Sequence, residues 1–248
     1  MVNPLINRGK SMKTITKYVR GLVLKLASCL LLFSPLLQAA CLDAVVLVHG
    51  NTAATSSWNN TYNLLLTKGY TPADIYRPSW GSSSCAACND HNGSEETPVR
   101  IAIQNALAAS CTGKIDVIGH SMGATLAAQQ ITKLAVHNQV DAFVGVAGAF
   151  RGLLSCGVYP WNVITSTCGA YGLSVGSPFL DDLYGVRFGS RVYSIKSNID
   201  QVVCSSGSCL VYGVHSSSIW GQDGTYTYAT GHFGLQTDTA AKQYDLIK

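Results

Sequence analysis

Residues 114–127 read Lys-Ile-Asp-Val-Ile-Gly-His-Ser-Met-Gly-Ala-Thr-Leu-Ala, and their pattern decides the fold. Lys114–Ile118 is an apolar, β-branched run of the kind that forms a strand buried on both faces. Met122–Asn138 is rich in good helix formers and reads as a long helix. Between them stands Gly119-His120-Ser121-Met122-Gly123. A strand-to-helix turn this tight strains its central residue, and side chains two positions to either side would clash. Gly119 and Gly123 meet that requirement. The turn lifts the Ser121 hydroxyl from the sheet edge, and the helix N-terminus behind it favours negative charge there. The G-x-S-x-G pattern alone is common by chance; the strand before it and the helix after it supply the specificity.

Outward from this unit, strands and helices alternate. Ala44–Val48 reads as a buried strand, Trp58–Lys68 as a helix stopped by Gly69, and Ile75–Arg77 as a short strand. Ser79–Ser94 is a polar loop, and Thr97-Pro98 opens a helix to about Ser110. Val140–Val146 and Arg191–Ser197 are further strands. Val202–Val214 reads as a β-excursion, Tyr226–Ala229 as a last strand and Asp238–Ile247 as a last helix. Alternation of this kind implies crossover connections and an α/β fold with a mainly parallel central sheet flanked by helices. There is no internal repeat or linker, so residues 41–248 are expected to form one domain. The irregular 148–186 stretch is too long for a plain connection and reads as a cap or substrate loop.

A serine raised in this way acts as a nucleophile only with an imidazole to take its proton and a carboxylate to orient that imidazole. The chain order for such a sheet is serine, acid, histidine. His49, His91 and His120 precede Ser121, and His137 lies at the end of the helix behind it. His232, between the last strand and the last helix, is the better placed of the remaining two, with His215 the alternative. Asp200 follows the strand RVYSIKS at its carboxyl end, where ligand chemistry gathers. Asp181, Asp182 and Asp223 are the alternatives. Two backbone N–H groups must also meet the developing oxyanion. They are expected from Met122 and from Asn51 in Val48-His49-Gly50-Asn51, with His49 itself structural.

The first 40 residues differ from the rest. They hold six basic residues (Arg8, Lys10, Lys13, Lys17, Arg20, Lys25) and no acids, then an apolar stretch Leu26–Leu37 and Gln38-Ala39-Ala40. This reads as a secretory signal peptide cleaved near Ala40, with Met12 an alternative start, and its apolar run is short for a membrane span. The whole chain carries a net charge of +4, whereas residues 41–248 hold 11 basic and 13 acidic residues, a net charge of −2. The basic balance belongs to the leader, and no basic patch suggests nucleic acid.

Together, VVLVHGNTA (45–53), KIDVIGHSMGATLA (114–127), VYSIKSNIDQVV (192–203) and GHFGL (231–235) resemble the secreted bacterial lipases of the class 2 group, within the α/β-hydrolase superfamily. The pieces span most of residues 41–248 in the expected order. The resemblance implies ester hydrolysis through an acyl-enzyme, with Ser121 attacking, His232 as base then acid, and Asp200 orienting it. It implies no cofactor and no metal. The partner would be a lipid or other ester, met by a monomer with transient contact to a lipid interface. The protein itself would be exported, to the periplasm or the medium. The chain departs from the smallest members of the group in its 148–186 segment and its cysteines, and from many lipases in having Gly119 where they have alanine. A triacylglycerol lipase or carboxylesterase is the leading reading. A polyhydroxyalkanoate-type polyester depolymerase is the enzymatic rival, and a binding protein on a hydrolase scaffold the non-enzymatic one.

The chain has nine cysteines, of which Cys29 lies in the leader; an even number in an exported chain reads as disulfides. Cys41 and Cys111 each precede a core strand, and those strands are neighbours in this fold, so the pair is suited to bridge their starts. Cys85 and Cys88 suit a loop disulfide, with a zinc cluster including Asp90 and His91 the alternative. Cys156–Cys168 and Cys204–Cys209 suit local loops. A lipid anchor on Cys41 would leave one thiol unpaired. Leu153, Leu154, Tyr159, Trp161 and Tyr171 either line an acyl pocket or pack the long loop onto the sheet.

Overall fold

The computed structural model describes residues 41–248, so the signal-peptide reading falls outside the described residues. β1 (Ala44–Val48), β2 (Ile75–Tyr76), β3 (Ile115–His120), β4 (Val140–Val146), β7 (Arg191–Lys196) and β10 (Gly224–Thr227) form one sheet in the order β10-β7-β4-β3-β1-β2. Every pairing in it is parallel. All strand carboxyl ends therefore share one edge.

The helices cover both faces, because the central strands are apolar on both. Val46 and Val48 of β1 and Val117 of β3 pack on one face with α2 (Glu96–Ala109) and α3 (Met122–Leu134). Val45, Leu47 and Ile118 point the other way, toward α1 (Asn59–Thr67), α5 (His232–Asp238) and α6 (Ala240–Ile247). Period-two alternation thus feeds two separate apolar layers.

Three boundaries differ from the sequence expectation. The helix after Ser121 ends at Leu134, short of Asn138, because Ala135 turns left-handed (φ 55°, ψ 35°) and its N–H closes on Ile131 and Thr132. Glycine usually fills that position, so no residue type marked the stop. The last helix is two helices broken at Thr239, and His232 opens the first of them. The 202–214 excursion is mostly turns, with only β8 (Leu210–Val211) and β9 (Val214–His215) pairing.

Segment 148–186 follows the carboxyl end of β4. It holds β5 (Leu153–Val158) and β6 (Ser174–Val175), paired in parallel, and α4 (Pro178–Leu183). Phe179 of α4 stacks on His91 at 3.8 Å between ring centres. His91 is fully buried, with its ring bonded to the Tyr171 carbonyl and to the Thr125 hydroxyl, both at 2.8 Å. One histidine therefore joins the polar loop, the segment and α3. It is committed to those bonds, and Cys85 is bonded to Cys88, so the zinc alternative has no free ligand set there.

All four cysteine pairs form as expected: Cys41–Cys111, Cys85–Cys88, Cys156–Cys168 and Cys204–Cys209. The Cys41 sulfur is thus occupied by Cys111.

Candidate active site

The turn between β3 and α3 has the strain its sequence requires. Ser121 sits at φ 53°, ψ −133°, outside the regions open to ordinary residues. Its N–H donates to the Val146 carbonyl at 2.8 Å, which fixes the turn to the end of β4. A Cβ on Gly119 would stand 2.3 Å from Ala124 Cα, and one on Gly123 2.0 Å from the His49 carbonyl oxygen. Neither position has room for any side chain.

β1 ends against this turn. A Cβ on Gly50 would lie 3.0 Å from Ser121 Cβ, so the chain after β1 passes directly beside the serine. Trp80 holds it there: its indole N–H donates to the His49 carbonyl at 2.9 Å and its main-chain N–H donates to His49 Nε2 at 3.3 Å. With Nε2 accepting, Nδ1–H is left to donate to the Gly50 carbonyl at 2.9 Å. His49 is therefore a backbone brace. The Asn51 side chain donates to the Ala86 carbonyl at 2.8 Å and accepts from Asn89 Nδ2 at 2.6 Å. That leaves the Asn51 N–H without a partner among the described residues. Met122, as the first residue of α3, has an N–H that the helix does not use.

Asp200 and His232 meet across 32 residues of chain. His232 Nδ1–H donates to both oxygens of Asp200, at 2.9 and 2.8 Å, and both side chains are buried. The Asp200 carboxylate also accepts the N–H groups of Val202 and Val203, each at 2.8 Å. Burial pushes this carboxyl up, but the His232 hydrogen bond and charge, with the two amides, outweigh it, and it lies below its ordinary value. The His232 main chain is held at both ends. Its N–H donates to Gln201 Oε1 at 2.8 Å, and its carbonyl accepts from His120 Nε2 at 3.0 Å. Since Nδ1 faces the acid, Nε2 is the nitrogen left free.

Ser121 and His232 line one cavity of about 160 Å³ with Asn51, Phe233, Gln236 and Thr237. Their side chains make no direct hydrogen bond with one another there. The expected nucleophile, base, acid and two amide donors are thus gathered at the carboxyl edge of the sheet. The alternatives are elsewhere. His215 uses both ring nitrogens, on Ser197 and Ser217. Asp223 pairs with Arg187 at 2.7 Å, and Asp181 and Asp182 are exposed on α4.

The residues expected either to line an acyl pocket or to pack the long loop are not in this cavity. Leu153 is buried in the core, whereas Trp161 is 89% exposed, and no lining residue comes from 148–186. The walls come instead from α5 and the loop after β1, where helical spacing carries no mark of a site. Gln201, Asn89 and Trp80 also escaped the sequence reading; each is an ordinary polar-loop residue until the fold places it.

Two buried imidazoles near the site are neutral. Burial, and for His120 then the neighbouring His232, pull His91 and His120 each down to about 3. The unfolded chain protonates histidine near pH 6.5. Between these limits the unfolded state binds more protons, so stability falls as pH falls, by about 1.4 kcal/mol per pH unit for each group. Above pH 6.5 the two contribute no slope. Urea midpoints are expected to hold from pH 7.5 to 6.5 and then drop toward pH 4.5, and His91→Gln to reduce that slope. An unchanged slope in the variant would mean that His91 titrates normally in the fold.

A parallel sheet with a strained serine turn at its carboxyl edge, faced by a histidine–aspartate pair, defines an α/β hydrolase. The model of the family described as Lipase (class 2) matches residues 43–245, and the chain belongs to that family. No curated protein matches it. Among solved structures it is similar to the Bacillus licheniformis lipase BlEst2 in mature form, at 12% identity and TM-score 0.56, covering 84% of this chain and 93% of that one. It is also similar to a structure described under the metagenome-derived lipolytic enzymes LipS and LipT, at 16% identity and TM-score 0.53, covering 82% and 90%. Tomato methylketone synthase I in complex with 2-tridecanone is similar too, at 12% identity and TM-score 0.53, covering 83% and 96%. At these identities the likeness concerns the fold, which hosts several chemistries.

Proposed function

We propose that this lipase-family hydrolase is a serine carboxylic-ester hydrolase that works through an acyl-enzyme. The observation that carries the reading is the two-oxygen hold of Asp200 on His232 Nδ1. It leaves Nε2 as a base in the cavity that Ser121 lines. Nε2 takes the hydroxyl proton as Ser121 attacks the ester carbonyl. The Asn51 and Met122 N–H groups receive the oxyanion. His232 then returns the proton to the leaving alcohol, and water repeats the cycle on the acyl-serine. Asp200 stabilises the imidazolium that forms in each half.

The substrate reading is an acylglycerol or simple alkyl ester, with an aliphatic polyester as the second. Phe233 beside His232 and Ile199 beside Asp200 are 64% and 63% exposed, and Trp161 and Ile164 on the segment after β4 are 89% and 99% exposed. Phe233 lines the cavity with Ser121 and Ile199 adjoins Asp200, so exposed apolar side chains stand beside the serine. That favours substrates presented on an apolar surface over a dissolved polar ester. Export fits the four disulfides.

A p-nitrophenyl ester series from C2 to C16, run beside triglyceride emulsion and polyester film, tests the reading. Hydrolysis with labelling of Ser121 by a fluorophosphonate is the expected result. A film preference would move the assignment to the depolymerase, and folded protein that neither hydrolyses nor labels would favour the binding role.

A further inference from the structure

The amino edge of the sheet, opposite the serine, carries a second polar cluster. Asp43 immediately precedes β1, and Asp116 and Asp141 are the second residues of β3 and β4. Because these three strands are neighbours and parallel, the carboxylates converge. One oxygen of each lies within 4.8 Å of the others. They line a cavity of about 320 Å³ with Tyr70, Tyr244 and Cys41.

The partners of the three are uneven. Asp43 accepts from the Thr112 hydroxyl. Asp141 is paired with Arg191 at 2.6 Å and lies 3.7 Å from Lys114. Asp116 is wholly buried. Its Oδ1 accepts the Ala142 N–H at 3.0 Å, where the β3–β4 register slips, and its Oδ2 has no partner among the described residues. Lys68 and Lys248 also line the cavity; Lys68 lies over the Tyr244 ring there, and Lys248 pairs with Asp245. Only Asp141 of the three thus meets cations directly, and the most buried carboxylate, on the cavity wall, keeps one oxygen without a partner among the described residues. Buried carboxylate oxygens are nearly always satisfied, so this one marks a missing partner.

We propose that Asp43, Asp116 and Asp141 bind a hard divalent cation of the calcium type, which ties the starts of the three central strands together. The donor set is all oxygen, with no imidazole or thiolate, which suits calcium over zinc or copper. Calcium accepts irregular geometry and completes its shell with water, which the open cavity admits. Magnesium demands a stricter octahedron than three unevenly held side chains offer. The site lies at the far end of the strands from Ser121, so its role is to hold the sheet.

The test uses purified protein stripped with EDTA, its Asp116→Asn variant and, as a second variant, Asp43→Asn. Added calcium is expected to raise the wild-type thermal midpoint by roughly 5–10 °C at a hundredfold excess over its Kd. Asp116→Asn keeps the acceptor for Ala142, so it is expected to match or exceed the calcium-free wild type and to lose the response. Terbium should give emission sensitised by Tyr70 and Tyr244, displaced by calcium and absent from both variants. No calcium shift in the wild type, or a full shift retained in the variants, would overturn the proposal. The first of these results would assign the empty oxygen of Asp116 to a proton.

Discussion

Replacing Ser121 with alanine is expected to lower kcat for ester hydrolysis by about 10⁵–10⁶-fold while leaving the thermal midpoint within a degree or two. The size follows from the cooperation of the site. In the proposed mechanism His232 and Asp200 act only on the proton of the serine hydroxyl, so removing the serine would remove the gain of all three at once. Residual turnover would come from water attacking a bound ester whose oxyanion the Asn51 and Met122 N–H groups receive. Stability is spared because the hydroxyl makes no hydrogen bond to other described residues, and the strained backbone at φ 53° carries a Cβ in either case. A purified variant with more than a hundredth of the parent activity would place the nucleophile elsewhere.

Gly123→Ala is expected to show the largest loss of stability. The new methyl would stand 2.0 Å from the His49 carbonyl oxygen and 2.7 Å from that of Val48. Both are backbone atoms of the chain leaving β1, and neither can rotate away. Relief needs α3 to part from β1 by more than an ångström, which opens a core layer packed with Val48, Met122 and Leu126. The expected cost is about 3–5 kcal/mol, at the top of the range for overpacking, or a midpoint lower by roughly 6–20 °C. Activity should fall with it, because the atoms displaced belong to the loop that presents the Asn51 amide. Differential scanning calorimetry alongside ester turnover checks both. A variant with the parental midpoint would mean that β1 and α3 do not touch at this point.

Much of the site could be read in the sequence because it rests on short-range rules. The glycines about Ser121 follow from the turn alone, and chain order, with His137 set aside at the end of the helix behind the serine, left two histidines. The β4 range was legible because both its ends are sharp changes in composition. What could not be read depends on distant partners. Asn89 and His91 sit in a stretch of Ser, Gly and Asn that looks solvated, yet both are buried, because Asn51, Thr125 and Tyr171 reach them from elsewhere in the chain. The cavity walls on α5 were hidden because the residues after His232 read as an approach to a single helix at Asp238. Tertiary packing starts a helix at His232 itself and breaks it at Thr239.

The four disulfides divide the molecule unequally. Cys41–Cys111 spans 70 residues, while the other three span 3, 12 and 5. By loop-closure entropy the long bridge is worth about 4 kcal/mol and the short ones roughly 2–3 each. The long bridge fastens two central strands at their starts. The short ones fasten the rim: Cys85–Cys88 flanks the Ala86 carbonyl that holds Asn51, and Cys204 follows Asp200 by four residues. Oxidation state therefore acts on two properties separately. Losing Cys85–Cys88 alone would cost about 2 kcal/mol by the same relation, less than losing the long bridge, yet would slacken the loop whose Ala86 carbonyl holds Asn51.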